Sequence, residues 1–289
     1  MPYTPGAVLD GLQATLGAVA LGAVDSAGVA WYLQTLEGWD SPDVRAEFTD
    51  REGDHGAWAS PVYLGARPIT LSGTIVAPSR ALLDQAMDQL RAAARLCDTV
   101  LTVWETVPKQ AIVRRSGKPL MQYASATAAT YSVMVTAADP RRYGITLESE
   151  TTRLPSVTGG LTLPATTPWT LSATVVAGQI DAANEGDFES RPVLSIAGPV
   201  VAPQVQVQMP DNTVRLVSYA QDLAAGEVLV IDTDKRTVTI NGAVSRRRFL
   251  TLPSGWPVLP ADSVTSFLFH STTYNPTATL TATWRSAWQ

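Results

Sequence analysis

The segment from Arg67 to Glu105 places one amphipathic helix between two strands, in a chain whose other segments are typical of β-structure. Between Ser79 and Cys97, apolar residues recur at three- and four-residue steps, which puts them on one face of a helix. These residues are Leu83, Ala86, Met87, Leu90, Ala94 and Cys97. Ser79 is a suitable N-cap because its hydroxyl can accept a hydrogen bond from the first turn. A single amphipathic helix among strands is expected to cover one face of a sheet.

The composition indicates a globular chain with more than one core. Its 289 residues favour two domains, and they are 45% hydrophobic but only 16% charged. A formal net charge of −5 argues against general affinity for nucleic acid or anionic membranes. The apolar run from Leu12 to Val24 lacks a basic leader and is too short for a membrane span. We therefore expect folding in a cytoplasm, without membrane insertion.

The single cysteine, Cys97, excludes an intrachain disulfide framework. Its place on the apolar side of the predicted helix indicates a buried, inert thiol rather than a nucleophile.

Residues 1–149 are predicted to form the first domain, a β-sandwich flanked by the helix over residues 79–97. Around Ser116-Gly117 we predict a hairpin that joins a strand ending at Arg115 to one beginning at Lys118. The other strands are predicted over Thr15–Val24, Val29–Leu36, Trp58–Leu64, Arg67–Val76, Thr99–Glu105 (a buried strand) and Thr127–Ala137.

Residues 150–289 are predicted to form a second domain, an antiparallel sandwich. Apolar and polar residues alternate with a period of two over 204–209 and 277–284, which indicates strands with one buried and one exposed face. A further hairpin is predicted between Val228–Ile231 and Thr237–Ile240. Many short strands with frequent turns and no helix are typical of a sandwich.

The order of several short motifs resembles siphophage distal tail proteins. Gly38-Trp39-Asp40-Ser41-Pro42, Arg67-Pro68 with the strand that follows, the helix, and Asp139-Pro140-Arg141-Arg142-Tyr143 are similar to the N-terminal domain of that family. The C-terminal domain of the family is matched by Gly226-Glu227, Ile231-Asp232, Asn241-Gly242 and Trp284-Arg285.

The resemblance implies a structural virion protein at the tail tip, assembled in the host cytoplasm. Its N-terminal β-sandwich would form a homo-hexameric ring under the tail tube, and its C-terminal domain would be a galectin-like β-sandwich. The partners implied are the tail tube protein, the tail-tip hub or tail-associated protein and receptor-binding proteins.

No residue pattern predicts catalysis, a metal site or a cofactor. His55 and His270 fall in different predicted domains without a second ligand at metal-binding spacing. Asp232-Thr-Asp234 lacks the glycine and glutamate of a calcium loop and is typical of a turn. Nucleophile elbows, phosphate loops and dinucleotide fingerprints are absent from the sequence.

Two basic clusters are the candidate contact residues. Arg114, Arg115 and Lys118, with Lys109 nearby, are predicted to contact a neighbouring subunit, and an acidic loop over Asp50–Asp54 is one possible target. The second cluster is Arg246-Arg247-Arg248. Contacts with DNA phosphates are the less favoured interpretation of both clusters, since no aromatic stacking series accompanies them.

Three other functions stay open from the sequence. A carbohydrate-binding adhesin would stack sugars on tryptophans such as Trp169, Trp256, Trp284 or Trp288. A tail-tube-related minor tail protein would share the sandwich and helix, but the large second domain disfavours it. A tail-associated hydrolase is disfavoured because no catalytic constellation is visible.

Overall fold

A computed structural model describes residues 11–159 and 173–289, excepting the side chains of 157–159 and 173–176. The chain divides into two compact units, and the division falls between Ile145 and Thr146. The described residues are mainly β-structure with one α-helix, which confirms the predicted fold class.

The first unit contains fourteen strands and one helix in the described part of the chain. They are β1 Gln13–Leu16, β2 Val19–Leu21, β3 Ala23–Val24, β4 Ala30–Glu37, β5 Val44–Arg45, β6 Phe48–Asp50, β7 Ala57–Ala59, β8 Tyr63–Leu64, β9 Arg67–Val76, α1 Arg80–Ala93, β10 Thr99–Trp104, β11 Lys109–Arg115, β12 Leu120–Tyr123, β13 Ala128–Ala137 and β14 Arg142–Gly144.

One antiparallel sheet organises the first unit, in the order β2-β1-β10-β11-β13-β9-β4-β3. β12 also pairs with β13, and β14 with β11. Because β2 and β3 are consecutive in the chain, the path begins and ends in one segment and the sheet curls around its core. The sandwich predicted for this domain is therefore built from one continuous, curled sheet.

The predicted strand Thr15–Val24 is wrong, because the chain turns at two glycines and forms three short strands instead. Gly17 and Gly22 have positive φ values of 57° and 83°. A Cβ on Gly22 would lie 2.4 Å from the carbonyl oxygen of Leu12, so this position requires glycine.

Helix α1 covers the core as predicted, but it ends earlier. Leu83, Ala86, Met87 and Leu90 are buried, and Ser79 Oγ accepts a hydrogen bond from the Leu82 amide at 3.3 Å. The chain leaves helical geometry at Ala94, whose ψ is 77°. Cys97 therefore lies beyond the helix and is exposed, so the prediction of a buried thiol is wrong.

No helix in the described segments has the length and apolar character needed to cross a bilayer.

The predicted hairpin around Ser116-Gly117 is also wrong. β11 and β12 do not pair with each other; both pair with β13, β11 through Val113–Arg115 and β12 through Leu120–Tyr123. Residues 116–119 therefore link two strands that lie one after the other along the same edge of β13.

β10 has one buried and one exposed face, in contrast to the fully buried strand predicted. Leu101 and Val103 are buried, whereas Val100 and Trp104 are exposed. Apolar residues occur on both faces of this strand, so its composition does not show which face is buried. The position of the strand in the sheet decides that.

The second unit is an antiparallel sandwich, as predicted. Its six-stranded sheet has the order β15-β27-β19-β22-β23-β24 and its five-stranded sheet the order β18-β26-β20-β21-β25, while β16 pairs with β17. The strands are β15 Glu148–Arg153, β16 Ser156–Gly159, β17 Ala173–Val176, β18 Gln179–Asn184, β19 Val193–Ala197, β20 Gln204–Gln208, β21 Val214–Tyr219, β22 Val228–Asp232, β23 Thr237–Ile240, β24 Val244–Ser245, β25 Leu250–Thr251, β26 Ser263–His270, β27 Thr279–Trp284 and β28 Ala287–Trp288.

Apolar side chains from both sheets form the core of the second unit. Phe267 and Val207 from the five-stranded sheet belong to one buried cluster with Leu229 and Leu280 from the six-stranded sheet. The predicted hairpin between β22 and β23 is confirmed. Asp232 accepts hydrogen bonds from the amides of Asp234 and Lys235, so its carboxylate serves the turn as predicted.

A fragment of residues 1–145 is expected to fold by itself, because the core cluster of the first unit is built entirely from residues 14–137. The division precedes β15, which pairs with β27 of the second unit, so a fragment that ends inside β15 would carry an unpaired strand. Circular dichroism and thermal unfolding of the fragment test this expectation. A fragment that is soluble only when residues 146–289 are supplied would contradict it.

Candidate functional site

The motifs that carry the family resemblance in the first unit converge on one buried arginine. Arg67 is 0% exposed. Its Nε donates to the Pro140 carbonyl at 2.9 Å, and its Nη1 donates to the carbonyls of Gly38, at 3.4 Å, and Trp39. The guanidinium thereby ties together three segments that are far apart in the sequence, and it fixes the point where the chain leaves the sheet after β4.

Gly38 allows the sharp turn at this point. Its φ is 77°, and a Cβ there would lie only 1.9 Å from the carbonyl oxygen of Pro68. Only glycine fits so close to the neighbouring backbone. The turn directs Trp39 inward, where it is 2% exposed.

Glu105 joins the same cluster from the end of β10. Its carboxylate accepts hydrogen bonds from Trp39 Nε1 and Lys109 Nζ, each at 2.6 Å, and Arg142 Nη1 lies 3.9 Å away. Partial burial by itself raises the pKa of Glu105, but the bonds from Lys109 and Trp39 and the positive charges nearby outweigh it. The pKa therefore lies below its ordinary value.

The cluster as a whole is rich in positive charge. Burial and the charge of Arg142 lower the pKa of Arg67 to about 10, so the guanidinium stays charged at neutral pH. Asp139 accepts hydrogen bonds from Arg141 Nη1 at 3.1 Å and from the Tyr143 hydroxyl at 2.6 Å. These bonds join side chains of the cluster to one another, which favours a rigid arrangement, although Arg67 Nη2 and Arg142 Nε are buried without a hydrogen-bond partner among the described residues.

Acid is expected to weaken this cluster through Glu105. The pKa of Glu105 is lower in the folded state than in the unfolded state, where it is near 4.5. The ionised carboxylate therefore stabilises the fold at pH values above 4.5. This contribution to stability is lost as the pH falls through the pKa of the folded state. Glu105→Gln should lower the melting temperature at about pH 7, and the difference from wild type should narrow at about pH 3. A difference that is the same at both pH values would contradict this role for Glu105.

Residues 43–65 form a long hairpin that we call the arm. β5 pairs with β8 and β6 with β7, and the Arg51 amide closes the tip by donating to the Gly56 carbonyl at 3.1 Å. The predicted strand Trp58–Leu64 is therefore two strands, β7 and β8, on the returning side of the arm. At about 3.3 Å per residue, eight steps from Asp43 to the tip span about 26 Å.

The arm has almost no buried surface of its own. Every residue from 43 to 63 is exposed except Ala57, which is half-buried. The exposed fraction is 66% for both Phe48 and Trp58, whose backbones lie on opposite strands of the arm. Arg51 places its guanidinium 4.5 Å from the centre of the Trp58 ring.

The predicted contact residues Arg114, Arg115 and Lys118 lie on the body of the first unit, not on a projecting hairpin. Arg114 forms a two-point ion pair with Asp98, which occupies its guanidinium within the chain. Arg115 and Lys118 form no ion pair with any residue that the structure describes, and both line a cleft of about 590 Å³ beside the end of α1. Lys109 belongs instead to the Glu105 pair.

Two residues of the second basic cluster, Arg247 and Arg248, stack on aromatic rings of their own unit. Arg247 lies 5.0 Å from the ring of Trp256, and Arg248 lies 4.5 Å from the ring of Phe249. These contacts hold both guanidinium groups against the protein surface.

Two of the four tryptophans considered for sugar binding, Trp284 and Trp256, make contacts within the second unit. Trp284 is 5% exposed and donates from Nε1 to the Ala183 carbonyl at 2.7 Å, and Trp256 lies beneath Arg247. Trp288 is half-buried, and Trp169 lies outside the described residues.

His55 and His270 are both exposed, one in the tip of the arm and one at the end of β26. Within residues 11–159 and 173–289, no group of three or more metal-binding side chains comes together.

Sequence reasoning missed Arg67 and Glu105 as members of one cluster. Arg67 belongs to one of the short motifs and Glu105 ends the predicted strand after the helix, but nothing in their spacing shows that they meet. The available signal is the alternation of burial along β9. Arg67 is the first residue of this strand and falls on its buried face.

Comparisons with known proteins agree with this architecture. Residues 185–288 match the family model of the Siphovirus-type tail component, C-terminal domain. The crystal structure of SPP1 Dit (gp 19.1), described as a paradigm of the hub adsorption apparatus in phages that infect Gram-positive bacteria, covers 96% of this chain and 99% of its own, with a TM-score of 0.66 and 11% identity. No curated protein sequence matches the chain significantly.

A second solved structure, the phage P2 baseplate in its activated conformation with Ca, has a chain with 9% identity and a TM-score of 0.51, over 95% of this chain and 98% of that one. At such identities the likeness shows the fold. Residues 185–288 of the second unit thus match a siphovirus-type tail-component domain, and the fold of the described chain is similar to that of Dit. The resemblance to siphophage distal tail proteins is therefore confirmed.

Proposed function

We propose that this protein is a structural, non-enzymatic component of a long-tailed phage, a distal tail ring that connects the tail tube to the tail-tip hub and the receptor-binding apparatus. The observation that carries the proposal is the Dit fold over nearly the whole chain, together with the tail-component domain in the second unit. The protein would act in the virion, at the tail tip, after assembly in the host cytoplasm.

Two features of the first unit support a closed assembly. The arm exposes apolar residues and carboxylates, and the cleft beside α1 presents unpaired cations, so one copy carries two different and complementary surfaces. Two different surfaces that meet head to tail generate a ring when the rotation closes. We propose six copies in the ring, with the tail tube protein, the hub protein and receptor-binding proteins as partners.

The purified full-length chain is expected to form six-membered rings at sufficient concentration. Mass measurement in solution gives the number of copies, and negative-stain imaging shows whether the particle is closed. A fragment of residues 146–289 is expected to stay monomeric, because both ring surfaces lie in the first unit. A chain that stays monomeric at every concentration, or a second unit that oligomerises alone, would contradict the proposal.

A further inference from the structure

Residues 236–261 carry positive charge in a chain that is acidic as a whole. This stretch contains four arginines and no lysine, aspartate or glutamate, whereas the whole chain has a formal net charge of −5. Three of the arginines are consecutive, at 246–248, and they follow β24 and precede β25. A local excess of one charge on a protein of the opposite net charge is typical of a surface that binds a charged ligand.

Trp256 brings together two arginines that are distant in the sequence. Its carbonyl accepts a hydrogen bond from Arg215 Nη1 at 3.2 Å, and its ring centre lies 5.0 Å from the guanidinium carbon of Arg247. Arg215 belongs to β21, so the fold of the second unit builds this pair. We call Arg215, Arg246, Arg247 and Arg248 the arginine patch.

Ring contacts orient the guanidinium groups of the two exposed arginines in the patch. Arg247 lies over Trp256, and Arg248 lies over Phe249 with its guanidinium carbon 4.5 Å from the ring centre. A stacked guanidinium uses its flat face, so the N–H groups along its edge stay available, apart from the Arg247 Nη1 bond to the Leu250 carbonyl at 3.1 Å. Edge donors of this kind bind oxyanions, and their fixed orientation lowers the entropy cost of binding.

The carboxylates near the arginine patch do not neutralise it. None of its four arginines forms an ion pair with a residue that the structure describes; the ion pairs of the second unit use Arg191 and Lys235. The carboxylate of Asp211 accepts hydrogen bonds from the amide and hydroxyl of Thr213, at 2.9 and 2.6 Å. Glu227 accepts the Ala224 amide at 2.8 Å. Four arginines against these two carboxylates leave a formal charge of +2.

The divergence of the side chains favours a repeating ligand over a single small anion. Arg247 and Arg248 lie in a 3₁₀ helix, in which consecutive side chains point about 120° apart. They accordingly stack on different rings. Divergent donors do not close on one small anion, but each can bind a separate charged group along a polymer, and the contacts then reinforce one another.

The chemistry of the arginine patch favours phosphate groups without attached bases. All four cations are arginines, whose planar and weakly hydrated guanidinium suits phosphate. Binding of single-stranded nucleic acid relies on aromatic faces that stack the bases. The rings of Trp256 and Phe249 each have an arginine over one face, so they are poorly placed for that role.

We propose that the arginine patch binds a flexible polymer that repeats phosphate groups and carries no bases. The stacked forks of Arg247 and Arg248 are the principal contacts, with Arg215 beside Arg247 and Arg246 next in the chain. This site belongs to the second unit alone and does not depend on the proposed ring.

Inorganic polyphosphate is the probe, titrated into the full-length protein by isothermal calorimetry. The dissociation constant should rise steeply with salt, with a slope of about three in the double-logarithmic plot, because each contact displaces bound counterions. Orthophosphate should bind at least about a hundredfold more weakly, since a single group reaches only one fork. Absence of polyphosphate binding at low salt would overturn the site, and it would leave the proposed tail function standing.

Substitutions with a matched control locate the site. Arg247→Gln should weaken polyphosphate binding by about fivefold and lower the salt slope by about one. Arg153→Gln also removes an exposed arginine of the second unit, but from β15, at the opposite edge of the six-stranded sheet from β24. Its affinity should stay within about twofold of wild type. Equal losses for the two variants would show that the second unit attracts polyanions without a defined site.

A pair of double variants separates the fork from the charge. Arg247→Gln/Arg248→Gln should weaken binding by more than about tenfold, whereas Arg247→Lys/Arg248→Lys keeps both charges, loses the forks and should show an intermediate loss. Melting temperatures measured in parallel identify any variant that loses binding because it unfolds. Lysine variants that bind like wild type would contradict the role of the stacked forks.

Two other polyanions of matched charge test the ligand class. Poly-L-glutamate should bind more weakly than polyphosphate, and equal affinity would overturn the assignment to phosphate in favour of an acidic peptide. A single-stranded DNA oligonucleotide should bind no more tightly than polyphosphate, since the patch offers no base-stacking platform. DNA binding about tenfold tighter than that of polyphosphate would identify base contacts and overturn the base-free ligand.

Discussion

Leu90→Asp is expected to unfold the first unit. Leu90 is 0% exposed in the last turn of α1 and belongs to the core cluster of the first unit, so the substitution buries a carboxylate without a partner. Loss of the leucine contacts and the cost of the buried charge together should exceed about 4 kcal/mol, which is close to the whole stability of a typical domain. Thermal unfolding and the soluble yield of the full-length variant measure the effect.

The matched control lies two residues away on the exposed face of the same helix. Asp88 pairs with Arg91 at 2.5 Å on the surface, and Asp88→Ala should change the free energy of unfolding by less than about 0.5 kcal/mol. Equal losses of melting temperature for the two variants would show that the helix does not cover the core with this face.

Arg67→Met is expected to be the second most damaging of these substitutions. Methionine occupies a similar length but donates no hydrogen bonds, so the carbonyls of Gly38, Trp39 and Pro140 lose a shared charged donor. Each buried acceptor that loses its donor costs about 1–3 kcal/mol, so the three carbonyls together should lose more than about 3 kcal/mol. Chemical denaturation of the full-length protein, followed by tryptophan fluorescence, would measure the loss.

Two further substitutions make that result specific to the guanidinium network. Arg95→Met removes an exposed arginine from the same unit and should change stability by less than about 0.5 kcal/mol. Arg67→Lys keeps the charge but lacks the planar fork of donors, so its loss should be intermediate. If Arg67→Met is as stable as Arg95→Met, the cluster does not hold the three segments together.

Local patterns were sufficient for the elements whose neighbours in sequence are also their neighbours in space. The buried face of α1 from Leu83 to Leu90, the alternation along β27 and the hairpin of β22 and β23 follow from a period of 3.6 or 2 and from nearby turn residues. Each of these signals is complete within a short window, so the sequence alone predicted them.

Pairing and burial over long distances were decided by the tertiary structure. β11 and β12 have the composition of a hairpin, yet they do not pair with each other. Both pair with β13, because β13 is long enough to bind the two strands one after the other along the same edge. Cys97 continues the period of the helix, but the backbone leaves helical geometry at Ala94 and exposes it. Arg67 lies on the buried face of β9, and its acceptors come from two distant loops, one that contains Gly38 and Trp39 and one that contains Pro140.

The sequence by itself determined the mainly-β class, the single helix with its core-facing side, the sandwich of the second unit and the resemblance to distal tail proteins. These depend on side-chain periodicity and on motif order, which are properties of the chain. Only the tertiary structure decided that residues 43–65 project as an acidic arm and that Arg115 and Lys118 line a cleft on the body. Strand partners and solvent exposure arise from contacts between distant segments, and a local pattern does not encode them.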